Sequence, residues 1–176
     1  MKADYFVYTG NSYPHKNISR LIDAVIMAKV NLKIISGRSA FVERLEKEIE
    51  AKGAKKQIEI LGFVPDEKFR SIYRNSVAFV YPTLDEGFGL PPKEAIMTGT
   101  FAVVSDIPVL KEVYADTVMY FDPYDVKSIA NALEKVLKMT KIEKDKKIKY
   151  AQEFLKRYSW QKMAKETLKI YESVEY

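Results

Sequence analysis

Val77-Ala78-Phe79-Val80-Tyr81 runs directly into Pro82-Thr83-Leu84-Asp85-Glu86-Gly87-Phe88-Gly89-Leu90-Pro91-Pro92. The first five residues are apolar almost without interruption, the pattern of a parallel strand covered on both sheet faces. The glycines and prolines that follow predict a loop, and a helix from Pro92 to Thr98. Lacking a Cβ, Gly87 and Gly89 let backbone N–H groups approach a ligand closely. Pro91 and Pro92 suit a first helical turn, where a missing N–H costs least. Such a helix start presents free N–H donors and a positive dipole end to an anion.

The same alternation continues outward in both directions. Upstream, Tyr5-Phe6-Val7-Tyr8 predicts a strand, Gly10 to Pro14 a turn, and Asn17 to Lys29 a helix with Ile18, Leu21, Ile22, Val25 and Ile26 at helical spacing. Leu32 to Ile35 predicts a second strand, followed by a helix with Phe41, Leu45 and Ile49 on one stripe. Ile58 to Leu61 predicts a third strand, and Pro65-Asp66 opens a short helix. Downstream, Phe101 to Val104 and Val118 to Phe121 predict strands. From Asp125 the pattern is helical, with breaks near Thr140 and Ser159. Strands separated by helices make βαβ units, so the expected fold is α/β: a Rossmann-like, doubly wound parallel sheet with additional C-terminal helices. Ligands of such sheets sit beyond the carboxyl ends of the strands. The loops at 10–16, 37–39, 62–65, 82–90 and 105–108 are therefore where chemistry is expected.

Size and composition agree with one domain over residues 1–176. Of the 176 residues, 47% are hydrophobic and 30% charged, the balance of a globular protein able to bury a core without disulfides. There are no cysteines, which excludes thiolate metal sites and cysteine nucleophiles. The start, Met1 to Tyr8, leads straight into a strand with no signal peptide pattern, and no apolar run approaches the ~20 residues of a bilayer span. The expected location is the cytoplasm. The net charge of +5 is mostly lysine and is assigned to solvated helix faces. No aromatic interleaving or motif supports nucleic-acid binding.

The segment Glu86-Gly87-Phe88-Gly89-Leu90-Pro91-Pro92-Lys93-Glu94-Ala95 resembles the signature of family 4 glycosyltransferases, also called glycosyl transferases group 1, in their C-terminal, donor-binding domain. Gly62-Phe63-Val64, Ala78 to Thr83, Thr98-Gly99-Thr100, Phe121 to Asp125 and Tyr158-Ser159-Trp160 extend the likeness along nearly the whole chain. The resemblance implies the C-terminal half of a GT-B fold and retaining transfer from a nucleotide-diphosphate sugar, without a metal or other cofactor. It implies that Glu86 contacts the donor sugar as the catalytic residue, that Glu94 holds the ribose hydroxyls, and that Gly87, Phe88, Gly89 and Leu90 border the diphosphate and sugar. Lys16, in the loop opened by Gly10, matches a lysine that neutralises the leaving diphosphate. The arginine common after that glycine is Asn11 here. The backbone at Phe63 and Val64 receives the base. The acceptor is expected to be a saccharide or a lipid-linked saccharide, bound by an N-terminal domain that this chain lacks and that another domain or subunit supplies.

Lys16 also has a physical rationale of its own, since a mobile ammonium at a strand mouth screens a diphosphate as charge develops. Arg38, after Ser36-Gly37, either touches the diphosphate or faces solvent. Asn17 is read as a helix cap. His15, the only histidine, is read as exposed or structural. Adjacent carboxylates seldom aim at one bond, so Asp85-Glu86 is not a glycosidase pair. Trp160 is read as a packing anchor between the late helices. The lysines at 138, 141, 144, 146, 147 and 149 are read as a solvated helix edge, the alternative being a face toward anionic lipid at the inner membrane. Two other functions fit the same motif: a sugar-nucleotide-binding module or split-enzyme subunit without turnover, and a sugar-nucleotide epimerase completed by a second domain.

Overall fold

A computed structural model describes residues 5–174, and Met1 to Asp4, the predicted lead into the first strand, lie outside it. The elements alternate as expected: β1 (Tyr5–Thr9), a 3-10 turn (Pro14–Lys16), α1 (Ile18–Ala28), β2 (Asn31–Ile35), α2 (Ala40–Ala51), β3 (Ile58–Ile60), α3 (Asp66–Arg74) and β4 (Phe79–Tyr81). There follow α4 (Leu90–Met97), β5 (Ala102–Ser105), α5 (Pro108–Tyr114), β6 (Met119–Phe121), α6 (Val126–Lys138), α7 (Lys141–Leu155) and α8 (Trp160–Ser173).

The six strands pair in the order β3-β2-β1-β4-β5-β6, every neighbour parallel. Chain direction across the sheet reverses between β1 and β4, which register at Val7 and Phe79. Right-handed crossovers then send the helices of the two halves to opposite faces. Accordingly α1 packs against α2 and α6, and α4 and α5 pack against α7. Both faces being covered, Phe6, Val7, Tyr8, Phe79, Val80, Tyr81, Val103 and Val104 are buried, and the central strands are apolar on successive residues rather than alternate ones.

Several local expectations need adjustment. Helix α4 begins at Leu90, two residues earlier than expected, with Pro91 and Pro92 inside its first turn. Helix α5 was not foreseen: at seven residues it is too short to display a periodic stripe. The buried stripe of α2 is Val42, Leu45 and Ile49, while Phe41 is half-buried against Tyr13. The breaks near Thr140 and Ser159 are helix caps: Thr140 and Glu143 form a reciprocal capping box at α7, and the Ser159 hydroxyl accepts from Lys162 N at α8.

Trp160 is not a packing anchor. It is 71% exposed, and α8, which it opens, has no buried residue. The neighbouring Tyr158 does the packing: its ring meets Phe88 edge-on at 5.1 Å and its carbonyl accepts from Lys93 Nζ at 2.7 Å. Of the lysine run, Lys144 departs from the solvated reading. Its ammonium donates to the Val77 carbonyl at 3.3 Å, and burial lowers its pKa.

Candidate functional site

The carboxyl ends of β1 and β4 flank the point where strand order reverses, the place where open parallel sheets bind ligands. The loops leaving these two strands are tied together by backbone. The His15 carbonyl accepts from Leu84 N at 2.7 Å and from the Thr83 hydroxyl at 3.3 Å. Asn17 stands at the N-cap position of α1 as expected, but its side chain makes no capping bond. Held at a left-handed φ of 58°, it donates through Nδ2 to the carbonyls of Pro82 (3.0 Å) and Pro123 (2.8 Å), joining three loops. A buried amide that bridges carbonyls satisfies groups the loops cannot satisfy alone.

This scaffold brings Lys16 to Glu86 across seventy positions of sequence. The Lys16 ammonium pairs with Glu86 Oε1, and Lys16 is only 7% exposed. The Tyr81 hydroxyl donates to the same oxygen at 2.5 Å and lies 3.3 Å from Lys16 Nζ. Burial, reinforced by the Glu86 charge, drives the Tyr81 phenol far up in pKa and keeps it a donor. Tyr8 stacks on Tyr81 at 6.2 Å and donates to the Asn11 carbonyl at 2.7 Å. Gly10 is needed beside it, because a Cβ there would come within 2.9 Å of the Tyr8 oxygen.

Beyond Glu86 the chain turns at Gly89, whose carbonyl accepts from the buried Tyr114 hydroxyl. The prolines at 91 and 92 remove two of the donors a helix start usually offers. The N–H groups of Phe88 and Gly89 donate to nothing among the described residues, and that of Leu90, at the first helical position, has no preceding turn to bond. The Gly87 N–H is likewise without a partner among the described residues, and of these four residues Gly87 and Leu90 are exposed while Gly89 is buried.

Glu94 lies one turn further along α4, on the wall of an open cavity of about 620 Å³ that Val64, Arg70, Tyr73, Arg74 and Thr98 also line. Phe63 stands next to it, 86% exposed. The Arg74 guanidinium is engaged, donating to the Thr98 carbonyl at 3.1 Å. Although the Glu94 side chain reaches solvent, the cavity walls partly desolvate its carboxyl and raise its pKa above the ordinary 4.5. Folding thus favours the protonated form. The group costs the fold nothing below its unfolded pKa and progressively more as pH rises through the folded one. Glu94→Gln should therefore melt above wild type at neutral pH, with an advantage that disappears as pH falls below about 4.5. A melting series across that window checks this, and an advantage that grows toward acid would contradict it.

Lys16 and Glu86 thus meet directly, Val64 and Glu94 line one cavity, and Phe88 and Leu90 line another together with Tyr158 and residues of α8. Gly87 is exposed. Asn11 and Arg38 are exposed. Among the described residues Asn11 Oδ1 accepts only from Tyr13 N, and Arg38 makes no hydrogen bond to the Lys16–Glu86 pair. Sequence reasoning missed Tyr81, Arg70, Tyr73 and Arg74. The one available signal was a tyrosine as the last residue of a buried strand, directly before the loop that carries the motif. Among the described residues no helix is long and apolar enough to cross a membrane.

Comparison with known proteins gives consistent results. The model of the family described as glycosyl transferases group 1 matches residues 1–154. The O-antigen chain mannosyltransferase RfbU of Salmonella typhimurium is 36% identical over 137 residues, 77% of this chain and 39% of that protein. The O-antigen chain mannosyltransferase B of Escherichia coli is 30% identical over 175 residues, 95% of this chain and 45% of that protein. The chain therefore spans less than half the length of either relative. Among solved structures, sucrose-phosphate synthase from Thermosynechococcus elongatus superposes with a TM-score of 0.84 at 24% identity, over 98% of this chain and 46% of that one. An Escherichia coli structure described as trehalose-6-phosphate bound with UDP-2-fluoro glucose gives 0.86 at 15% identity, over 99% and 45%. These two likenesses establish the fold.

Proposed function

The chain belongs to the group 1 glycosyl transferases, and from that membership and the site's geometry we propose that it is the donor-binding domain of a retaining glycosyltransferase. The single observation that carries this reading is the meeting of Lys16 and Glu86 at the switch point, with Glu94 on the helix that follows. The ribose hydroxyls donate to Glu94, the base lies against the backbone at Phe63 and Val64, and the diphosphate sits between Lys16 and the free N–H groups of Phe88, Gly89 and Leu90. Glu86 receives hydroxyls of the sugar. In transfer, the bond from the anomeric carbon to the diphosphate oxygen breaks and its electron pair leaves with the diphosphate. Lys16 stabilises that growing charge, so the departure uses no metal. The acceptor hydroxyl forms the new bond on the same face, and its proton passes to the diphosphate.

Since both relatives above are named mannosyltransferases, a mannosyl group is the first sugar to test, with a saccharide or lipid-linked saccharide as acceptor. An N-terminal domain or separate subunit supplies the acceptor wall, at the cytoplasmic side or inner face of the membrane. Complementarity from both walls is needed for turnover, so this chain alone binds donor and transfers little.

Calorimetry against UDP-, GDP- and ADP-sugars tests the reading. One donor should bind, and Glu94→Ala should weaken it about tenfold or more, the worth of hydrogen bonds to a charged acceptor. A folded chain that binds none of them refutes the proposal. Donor binding without transfer, once an acceptor-binding partner is supplied, identifies a non-catalytic module instead.

A further inference from the structure

Two donors converge on one oxygen of Glu86. Oε1 takes both the Lys16 ammonium and the Tyr81 hydroxyl, while Oε2 has no hydrogen-bond partner among the described residues. The two donors differ in mobility. Tyr81 is 1% exposed, is the last residue of β4, and is wedged between the rings of Tyr8 at 6.2 Å and Phe79 at 5.8 Å. Its hydroxyl cannot move without moving the centre of the sheet. Lys16 reaches the carboxylate on a flexible four-carbon stem from a short turn, and an ammonium has no preferred plane of bonding. It can turn away while the phenol stays.

Resting on the donor-site reading above, we propose that Tyr81 is the positioning residue for Glu86, and that the Lys16–Glu86 pair is a resting-state lock opened by a diphosphate. The incoming diphosphate, with its greater charge, draws Lys16 off the carboxylate. Tyr81 then holds Oε1 alone, and fixes the direction in which Oε2 meets the sugar hydroxyls. Binding of the charged part of the donor thereby releases the carboxylate that reads its sugar. Tyr81 touches no substrate in this scheme and acts only through Glu86.

The lock has a cost that binding must overcome, and the cost is measurable with sugar-free nucleotides. With UDP and GDP as calorimetric probes, Glu86→Gln should bind the nucleoside diphosphate at least about fivefold more tightly than wild type, because Lys16 starts without an ion pair and keeps only its contact with the Tyr81 hydroxyl. The same variant should gain nothing for the intact sugar nucleotide, whose sugar contact it weakens. Tyr81→Phe should do the opposite. In the bound state it leaves Glu86 with neither donor, so diphosphate affinity should fall about tenfold. In the Glu86→Gln background that loss should shrink below about twofold, since no buried charge is left to orient.

A merely structural tyrosine would weaken binding equally in both backgrounds, and that result overturns the positioning role. Unchanged or weaker UDP and GDP binding in Glu86→Gln overturns the lock, and needs only that one near-isosteric variant to fold. Wild type that binds neither nucleotides nor sugar nucleotides overturns the donor-site reading and this inference together, whereas normal wild-type binding with the wrong signs in the variants overturns this inference alone.

Discussion

Replacing Lys16 with methionine is expected to weaken nucleoside diphosphate binding about 100-fold and to lower the melting temperature of the unliganded protein by roughly 6–12 °C. The two effects have separate causes. The affinity loss follows from the loop sequence. The residue after the first glycine is Asn11, whose side chain is exposed and turned back on its own loop. Lys16 is then the cation of that loop nearest the pair's corner, and a charge-assisted bond to phosphate has no substitute when it is removed. The stability loss follows from what Lys16 leaves behind. The Glu86 side chain is mostly buried, and without the ammonium its charge rests on the Tyr81 hydroxyl alone. Removing one partner of a buried pair costs about 3 kcal/mol, and each kcal/mol is worth about 2–4 °C at this chain length. Methionine retains the bulk of the stem, so lost packing is a minor part. Adding Glu86→Gln to Lys16→Met should restore most of the melting temperature and none of the affinity. If the double variant melts no higher than the single one, the stability argument fails. If Lys16→Met binds UDP or GDP as wild type does, the diphosphate lies elsewhere.

The same corner marks the boundary of what the sequence makes legible. The alternation of strands and helices follows from hydrophobic pattern, because a sheet covered on both faces requires runs such as Val77 to Tyr81 with no polar gaps. The loop at 82–90 is legible because glycine frees the backbone and proline fixes it, and the two together mark a turn that runs into a helix start. Tyr81 is not legible. Its ring belongs to the core and its hydroxyl to the site, and a pattern of apolar positions counts only the ring. What distinguishes it from Phe79, two residues earlier on the same strand, is the pair of partners at positions 16 and 86. Such partners are set by the crossover of two distant βα units, which local periodicity does not encode. Arg70, Tyr73 and Arg74 were hidden similarly, as ordinary turns of a short helix whose neighbour across the cavity, Glu94, arrives twenty residues later. Trp160 failed in the other direction, and Asn17 in part, since it holds the N-cap position of α1 without a side-chain capping bond. Each had a good generic role, core anchor or cap, and in each case the adjacent chain supplied a better-placed competitor: Tyr158 for packing, and the Pro82 and Pro123 carbonyls for the amide.

Gly87 and Gly89 look equivalent in the sequence, and their alanine variants should separate them. Gly89 sits at φ 81° and ψ 58°, a left-handed conformation that costs a residue with a Cβ about 1–2 kcal/mol. A Cβ at that position would also lie 2.6 Å from Leu110 Cδ2 and 3.8 Å from the Tyr114 ring, and both of those residues are fully buried. Overpacking of this kind adds about 1–3 kcal/mol, so Gly89→Ala is expected to lose about 3 kcal/mol and roughly 6–12 °C in melting temperature. The local response matters as much as the total. Tyr114 is bonded to the Gly89 carbonyl, so displacing the glycine moves the turn that aims the N–H groups of Phe88 and Leu90. Donor affinity should fall with stability. At Gly87 a Cβ would meet nothing within 4 Å and φ lies outside the left-handed region. Gly87→Ala should therefore stay within about 0.5 kcal/mol of wild type in stability. Any loss of UDP or GDP affinity in that variant reports close approach of ligand to backbone, uncoupled from folding. Equal melting temperatures for the two variants would refute the steric argument at Gly89. A Gly89→Ala protein that is destabilised yet binds donor normally would show that the turn shapes the fold but does not aim the anion site.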